Sequence, residues 1–321
     1  MTAPLPVPAI DLGGPVAEVA RAIDTACSEL GFFAVTGHGV RRSLIVALMS
    51  EARAFFDRPL ADRLLAVPSD GRPRGFTPFQ SERAAYSLGR ETPPDLLQAF
   101  GAGREPIPDE PYYRRGVGRF IFDNVWPPDA EGLRAAYADY WAVVEPLGRR
   151  LMAICALALD LDQGFFEPFI DRSIGQIRVS DYPALDHEPQ PGQLRSGEHT
   201  DFGSITILAV DGIAGLELRD DQGQYRPAAV PDGALVINVG DLLARWTNDR
   251  WQSTYHRVAF PSSGPPYPRR LSIAFFQSPN YDAVIECLPT CTGPNGPAYP
   301  PIRSGDHVLG KINATVSGGQ D

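Results

Sequence analysis

His199-Thr200-Asp201 and His256 are the residues whose types and placement can hold a metal ion. In an extended segment, side chains two positions apart leave the backbone on the same side, so His199 and Asp201 can reach one ion together. A His-x-Asp pair alone carries little information. His256 supplies what the pair lacks. It sits on its own β-prone run, Ser253-Thr254-Tyr255-His256-Arg257-Val258, and a barrel can bring two distant strands side by side at its open end. Two imidazoles and one carboxylate then occupy one face of an octahedral ion and leave three positions open. That facial set points to non-haem Fe(II) and O₂ chemistry, whereas zinc favours a closed or nearly closed tetrahedral site and no fourth ligand is evident.

A fixed cation follows. Arg269-Arg270-Leu271-Ser272 opens the next β-run, and alternation puts Arg270 and Ser272 on one side. A guanidinium fork beside a hydroxyl suits capture of a carboxylate inside a barrel. Read alone, Arg270 would be a surface charge, as Arg269 is expected to be; downstream of the three ligands it reads as an anion anchor. The other candidates read as structural or solvated. His38 belongs to a Gly37-His38-Gly39 turn, His187 to a Pro-rich loop, and His307 lies near the C-terminus. Trp246 and Trp251 are expected in the core or at a rim. Glu198, the acid adjacent to the ligands, faces away from them by alternation.

The elements that must position these residues divide the chain. Pro15–Leu30 and Ser43–Phe56 carry apolar residues at helical spacing, with Gly31 and Asp57-Arg58-Pro59 as stops, and 129–160 repeats that pattern. Residues 68–128 are rich in Gly, Pro, Arg and aromatics with little periodicity, the texture of a binding loop or lid. From residue 174, short β-prone runs (174–179, 204–209, 215–218, 234–239, 255–260, 271–276) alternate with turn signals such as Asp220-Asp221-Gln222-Gly223. The expected fold is α+β: an all-β core with helices, in which a helical and loop region over 1–165 packs on a double-stranded β-helix, or jelly roll, over 166–321.

Composition narrows the partners. The formal net charge is −10, so phosphate backbones and anionic lipid surfaces are repelled, and neither nucleic acid nor membrane is an expected partner. Four cysteines are too few for a disulfide framework, and Cys287 and Cys291 have no second pair to complete a zinc site. The start of the chain shows no leader pattern and no run is long and apolar enough to span a bilayer, so a cytoplasmic location is expected.

Several segments together resemble the isopenicillin N synthase-like 2-oxoglutarate/Fe(II) dioxygenases: Pro6–Leu12, 31–40, Tyr182-Pro183, His199-Thr200-Asp201, Gly240–Val258 and Arg270-Leu271-Ser272. They occur in the family's order, from about residue 5 to about residue 312. The resemblance implies that His199, Asp201 and His256 hold Fe(II), that Arg270 and Ser272 bind the far carboxylate of 2-oxoglutarate, and that Tyr182 helps to position it. Arg178, two residues before Ser180 on the same strand, is expected in the pocket as a further anion contact. The family often has Asn where this chain has Ser180. The implied reaction consumes 2-oxoglutarate and O₂, releases succinate and CO₂, and oxidises an unactivated C–H bond of a small molecule, most often to an alcohol. Desaturation, ring closure and ethylene formation are its relatives, and an oxidase of the isopenicillin N synthase type would retain Arg-x-Ser without using 2-oxoglutarate. Asp201 completes the facial site, so halogenation is not expected. A vestigial cupin-like binding protein and a zinc hydrolase are the readings from other classes. The arginines near 72–83, with Arg178, favour an anionic or amino-acid-like substrate.

Overall fold

The residues Arg270-Leu271-Ser272-Ile273-Ala274-Phe275-Phe276-Gln277 form a single strand whose alternation sets the plan of the molecule. Arg270, Ser272, Ala274 and Phe276 line a cavity, while Leu271, Ile273 and Phe275 on the opposite face are wholly buried in the core. The computed structural model describes residues 3–317. Along the first half run β1 (Leu5–Pro6), β2 (Ala9–Asp11), α1 (Val16–Glu29), β3 (Phe32–Thr36), α2 (Arg42–Phe56), α3 (Leu60–Leu64), β4 (Gly75–Thr77), β5 (Gln98–Gly103), α4 (Pro111–Gly116) and α5 (Glu131–Ala158). The second half carries α6 (Glu167–Ile170), β6 (Gln176–Tyr182), β7 (Ser196–His199), β8 (Ile205–Val210), β9 (Leu216–Arg219), β10 (Tyr225–Ala229), β11 (Leu235–Val239) and α7 (Asp241–Trp246). It closes with β12 (His256–Val258), β13 (Arg270–Gln277), β14 (Val284–Ile285), β15 (Ile302–Arg303) and α8 (Ser304–Ser317).

Two sheets enclose the cavity as a jelly roll. The larger has the order β2-β3-β11-β8-β13-β6-β5-β4 and the smaller β1-β10-β9-β12-β7. Strands β8, β11 and β13 read as almost unbroken apolar runs because helices cover one face of their sheet and the cavity occupies the other. Helices α1 and α2 pack on α5, which lies against β8 and β13. On α1 the buried residues Val19, Ala20, Ile23, Ala26 and Cys27 recur at helical spacing, so one stripe meets the core. Trp246 and Trp251, expected in the core or at a rim, are fully enclosed in the core. Phe275 is also fully buried, with the Trp141 ring edge-on at 5.4 Å. Phe275→Ala is expected to destabilise the fold by about 3–5 kcal/mol. The readout is a lower urea midpoint with an unchanged slope.

The stretch 68–128 differs from its sequence reading. It contributes β4 and β5 to the larger sheet, a short 3₁₀ turn at Ala84–Leu88, and α4. Strand β5 pairs with β6 from Gln176 to Asp181, so residues on both sides of position 166 share one sheet. Its sequence, Gln-Ala-Phe-Gly-Ala-Gly, has little β propensity. The glycines have a packing reason instead. A Cβ at Gly101 would stand 2.4 Å from the Gln176 amide nitrogen, and one at Gly103 would stand 2.7 Å from a guanidinium nitrogen of Arg74. Both of those side chains wall the cavity.

Candidate metal centre

Strands β7 and β12 run antiparallel with His256 directly opposite His199, and the two imidazole rings lie 4.3 Å apart between centres. Asp201 follows β7 by two residues. One donor atom each from His199, Asp201 and His256 lies within 4.8 Å of the others, close enough for one ion to be reached by all three. The His256 Nε2 to Asp201 Oδ1 distance is 3.9 Å.

Each ligand is oriented by its neighbours. The Nδ1 of His199 faces the Gly197 carbonyl at 2.8 Å and that of His256 faces the Thr254 carbonyl at 3.2 Å. As donors to those carbonyls, both rings direct an Nε2 lone pair toward the shared point. Burial, and then the neighbouring His199, push the His256 pKa down to about 4, so this ring is neutral at pH 7. The Oδ2 of Asp201 accepts from the Thr206 hydroxyl and from Asn238 Nδ2 (2.8 Å), which leaves Oδ1 for a cation. The loop after β7 is clamped from behind by the Asp241 N–H, which donates to the Asp201 carbonyl at 2.7 Å. Gly240 permits that approach, since a Cβ there would come within 2.4 Å of the Gly203 carbonyl oxygen. Two imidazole nitrogens and one oriented carboxylate oxygen suit a divalent first-row metal.

Thr206 and Asn238 escaped the sequence reading. Their signal was present, because each is a lone polar residue in an otherwise apolar strand. Asn238→Ala is expected to lower Fe(II) affinity by about 10–100-fold, as loss of an outer partner does at metal sites. An anaerobic Fe(II) titration checks it.

The cation expected opposite the metal is enclosed. Arg270 is 1% exposed and stands opposite Tyr182 in the β13–β6 register, with Ser272 opposite Ser180. The Nε of Arg270 donates to the Ile213 carbonyl at 3.1 Å, its Cζ lies 5.0 Å from the Tyr182 ring centre, and its Nη1 has no partner among the described residues. A buried guanidinium N–H without an acceptor is costly, and a ligand carboxylate would satisfy it. Tyr182, Arg270, Ser272 and the three metal-reaching residues line one cavity of about 380 Å³.

Arg178 lines the same cavity, but its guanidinium is paired with Glu82. It stands four residues from Tyr182 along β6, roughly 13 Å away at strand spacing, and so belongs to the other end of the cavity from Arg270. Arg72, Arg74, Thr77 and Glu82 from the 68–128 stretch also line the cavity. Helix α8, unread in the sequence, closes it with Val308, Leu309 and Ile312. Two surface expectations are corrected. Arg269 is mostly buried, paired with Asp181 at 2.6 Å and with Asp57. His307 is 14% exposed and faces Asp241 at 3.8 Å instead of solvent. His38 does serve its turn, accepting from the Val40 N–H at 3.1 Å.

The non-haem dioxygenase in morphine synthesis N-terminal family matches residues 7–129, and the 2OG-Fe(II) oxygenase superfamily matches residues 174–279. A 2-oxoglutarate-Fe(II) type oxidoreductase, hxnY of Emericella nidulans, is 34% identical over 93% of this chain and 85% of its own length. The proline hydroxylase buaE of Petromyces alliaceus is 32% identical over 82% of each chain. Among solved structures, a full-length Neurospora crassa protein in complex with alpha-KG and thymine superposes with a TM-score of 0.83 at 29% identity. That match covers 96% of this chain and 97% of the other. Among the described residues no helix is long and apolar enough to cross a membrane.

Proposed function

This chain belongs to the 2-oxoglutarate–Fe(II) oxygenase family, and from that premise we propose that it hydroxylates a C–H bond of a small anionic or amino-acid-like molecule. It is an Fe(II)/2-oxoglutarate-dependent enzyme, and the relatives named above support that reading over those without 2-oxoglutarate. Bound Fe(II), with 2-oxoglutarate and O₂, supplies the oxidising chemistry and releases succinate and CO₂. In our assignment His199, Asp201 and His256 hold the iron. Thr206 and Asn238 fix the free oxygen of Asp201, and the two backbone carbonyls fix the imidazoles. Arg270 and Ser272 receive the distal carboxylate of the co-substrate, with Tyr182 packed on the guanidinium. Phe202, Phe276, Val308 and Leu309 keep bulk water from the reacting centre. The observation that carries this reading is a three-ligand cluster within 4.8 Å sharing one cavity with a buried arginine whose Nη1 lacks an acceptor.

The substrate class rests on the opposite wall. Arg72, Arg74, Arg119 and Arg178 line the cavity in a chain whose net charge is −10. Arg74 is buried, and no carboxylate among the described residues lies within ion-pair distance of it. Arg72, Arg119 and Arg178 are each paired with a carboxylate (Asp70, Asp306 and Glu82), while Arg74 is left to attract an anion on this wall, away from Arg270. We therefore place Arg178 with the substrate instead of the co-substrate. The relative named as a proline hydroxylase is consistent with an amino-acid-like ligand.

Succinate release with and without 2-oxoglutarate tests the reaction. The substrate class is tested by anaerobic screening of amino acids, carboxylates and matched neutral compounds for a shift of the Fe(II)–2-oxoglutarate absorption band. Preference for the neutral members would overturn the substrate class and leave the reaction standing. Absence of 2-oxoglutarate-dependent succinate with every compound would overturn the reaction.

A further inference from the structure

Arg195 lies one residue before β7 and is 0% exposed. Its Nη2 donates to the Pro268 carbonyl, and its Cζ lies 5.0 Å from the Phe260 ring centre. Its Nε and Nη1 have no partner among the described residues, the same condition as the Nη1 of Arg270. Pro268 lies two residues before Arg270, so the Nη2 contact anchors Arg195 beside the start of β13. Burial first, and Arg270 next, lower the Arg195 pKa, while Tyr182, Asp211 and Tyr267 act in the other direction. Asp211 cannot serve as a dedicated counter-ion. Its two oxygens accept the backbone N–H groups of Ile213 (3.1 Å) and Leu271 (2.7 Å), and it makes no ion pair within 4.0 Å among the described residues.

Two neighbouring guanidiniums buried without an assigned carboxylate are a costly arrangement, because buried charge is normally paired. The arrangement becomes favourable when a ligand brings the missing negative charge. Tyr182 stands opposite Arg270 in the β13–β6 register, with its ring centre 5.0 Å from that guanidinium carbon. We propose that Arg195 is a positioning residue that sets a second buried positive charge behind Arg270, so that 2-oxo acids with a distal carboxylate are selected over those without one. This rests on the co-substrate reading of Arg270 given above. The competing account makes Arg195 a purely structural tether of the Pro268 carbonyl.

Anaerobic calorimetry on the full Fe(II)-loaded chain separates the two, using 2-oxoglutarate and 2-oxovalerate, which carries a methyl group in place of the distal carboxylate. Arg195→Met is expected to weaken 2-oxoglutarate binding by about tenfold or more and 2-oxovalerate binding by less than about twofold, since only the first presents the charge. Arg195→Gln, which keeps a donor for the Pro268 carbonyl, is expected to lose the same preference and serves if the Met variant does not fold. Arg195→Lys should retain most of the preference. Equal weakening of both ligands in the neutral variants, an unchanged preference in them, or a Lys variant as indiscriminate as Met would overturn the proposal. A wild-type chain that binds both ligands equally would overturn the co-substrate reading itself.

Discussion

Arg270→Met is expected to raise the 2-oxoglutarate KM by roughly two orders of magnitude while leaving Fe(II) affinity within about a factor of two. The reason is the enclosure of the site. Arg270 is 1% exposed, and the same strand face carries no second guanidinium. A distal carboxylate bound there without Arg270 would be stripped of water and in contact only with the Ser272 hydroxyl and a tyrosine ring, with the Arg195 charge one layer behind. Losing one partner of a buried charge pair costs about 2–5 kcal/mol, and each 1.4 kcal/mol is tenfold. Ser272→Ala removes one neutral donor and should cost about 1 kcal/mol, less than tenfold in KM. Arg270→Lys should recover little, because an ammonium does not reproduce a fork that binds a carboxylate and the Ile213 carbonyl together. Initial rates of succinate release against 2-oxoglutarate concentration, with a parallel Fe(II) titration, decide the matter. An unchanged KM would mean that the anion is anchored elsewhere.

How far the site could be read from sequence follows from backbone geometry. The period of a strand is two, so Arg270 and Ser272 had to share a face once β13 existed, and His199 and Asp201 had to leave an extended chain on one side. Alternation also separated Arg270 from Arg269. It could not show that Arg269 would be covered, because its partner Asp181 sits on the outer face of β6, and that pairing is a tertiary fact. Strand β5 was hidden because its glycines answer to the side chains of Arg74 and Gln176, which lie in other segments. Helix α8 offers Val308, Leu309 and Ile312 to the cavity but interrupts its pattern with Gly305 and Gly310, both poor helix formers. The polar residues Thr206 and Asn238 were legible as exceptions within apolar strands. Their shared partner, one oxygen of Asp201, became clear only when β8 and β11 were found side by side.

That shared oxygen makes Asp201→Asn the most demanding test of the metal centre. The side chain keeps its shape, so the fold should survive and the melting temperature should move little. The donors set the orientation. Thr206 and Asn238 both donate to the Oδ2 of Asp201, so an asparagine must turn its carbonyl oxygen toward them. Its NH₂ group then points at the metal position, where a lone pair is required and two N–H bonds are presented. The ligand set also loses its only negative charge, because His256 is neutral and His199 adds none as a ligand. Fe(II) affinity is expected to fall by at least about a hundredfold, corresponding to roughly 3 kcal/mol, and 2-oxoglutarate-dependent succinate release should disappear at ordinary iron concentrations. Replacing Asn238 by Asp at the same time would turn that neighbour into an acceptor for the new amide, yet add a negative charge beside it. A partial return of Fe(II) binding in the double variant, measured by anaerobic titration, would show that donor orientation governs the loss. Near-native iron affinity in Asp201→Asn alone would mean that the metal does not use this carboxylate.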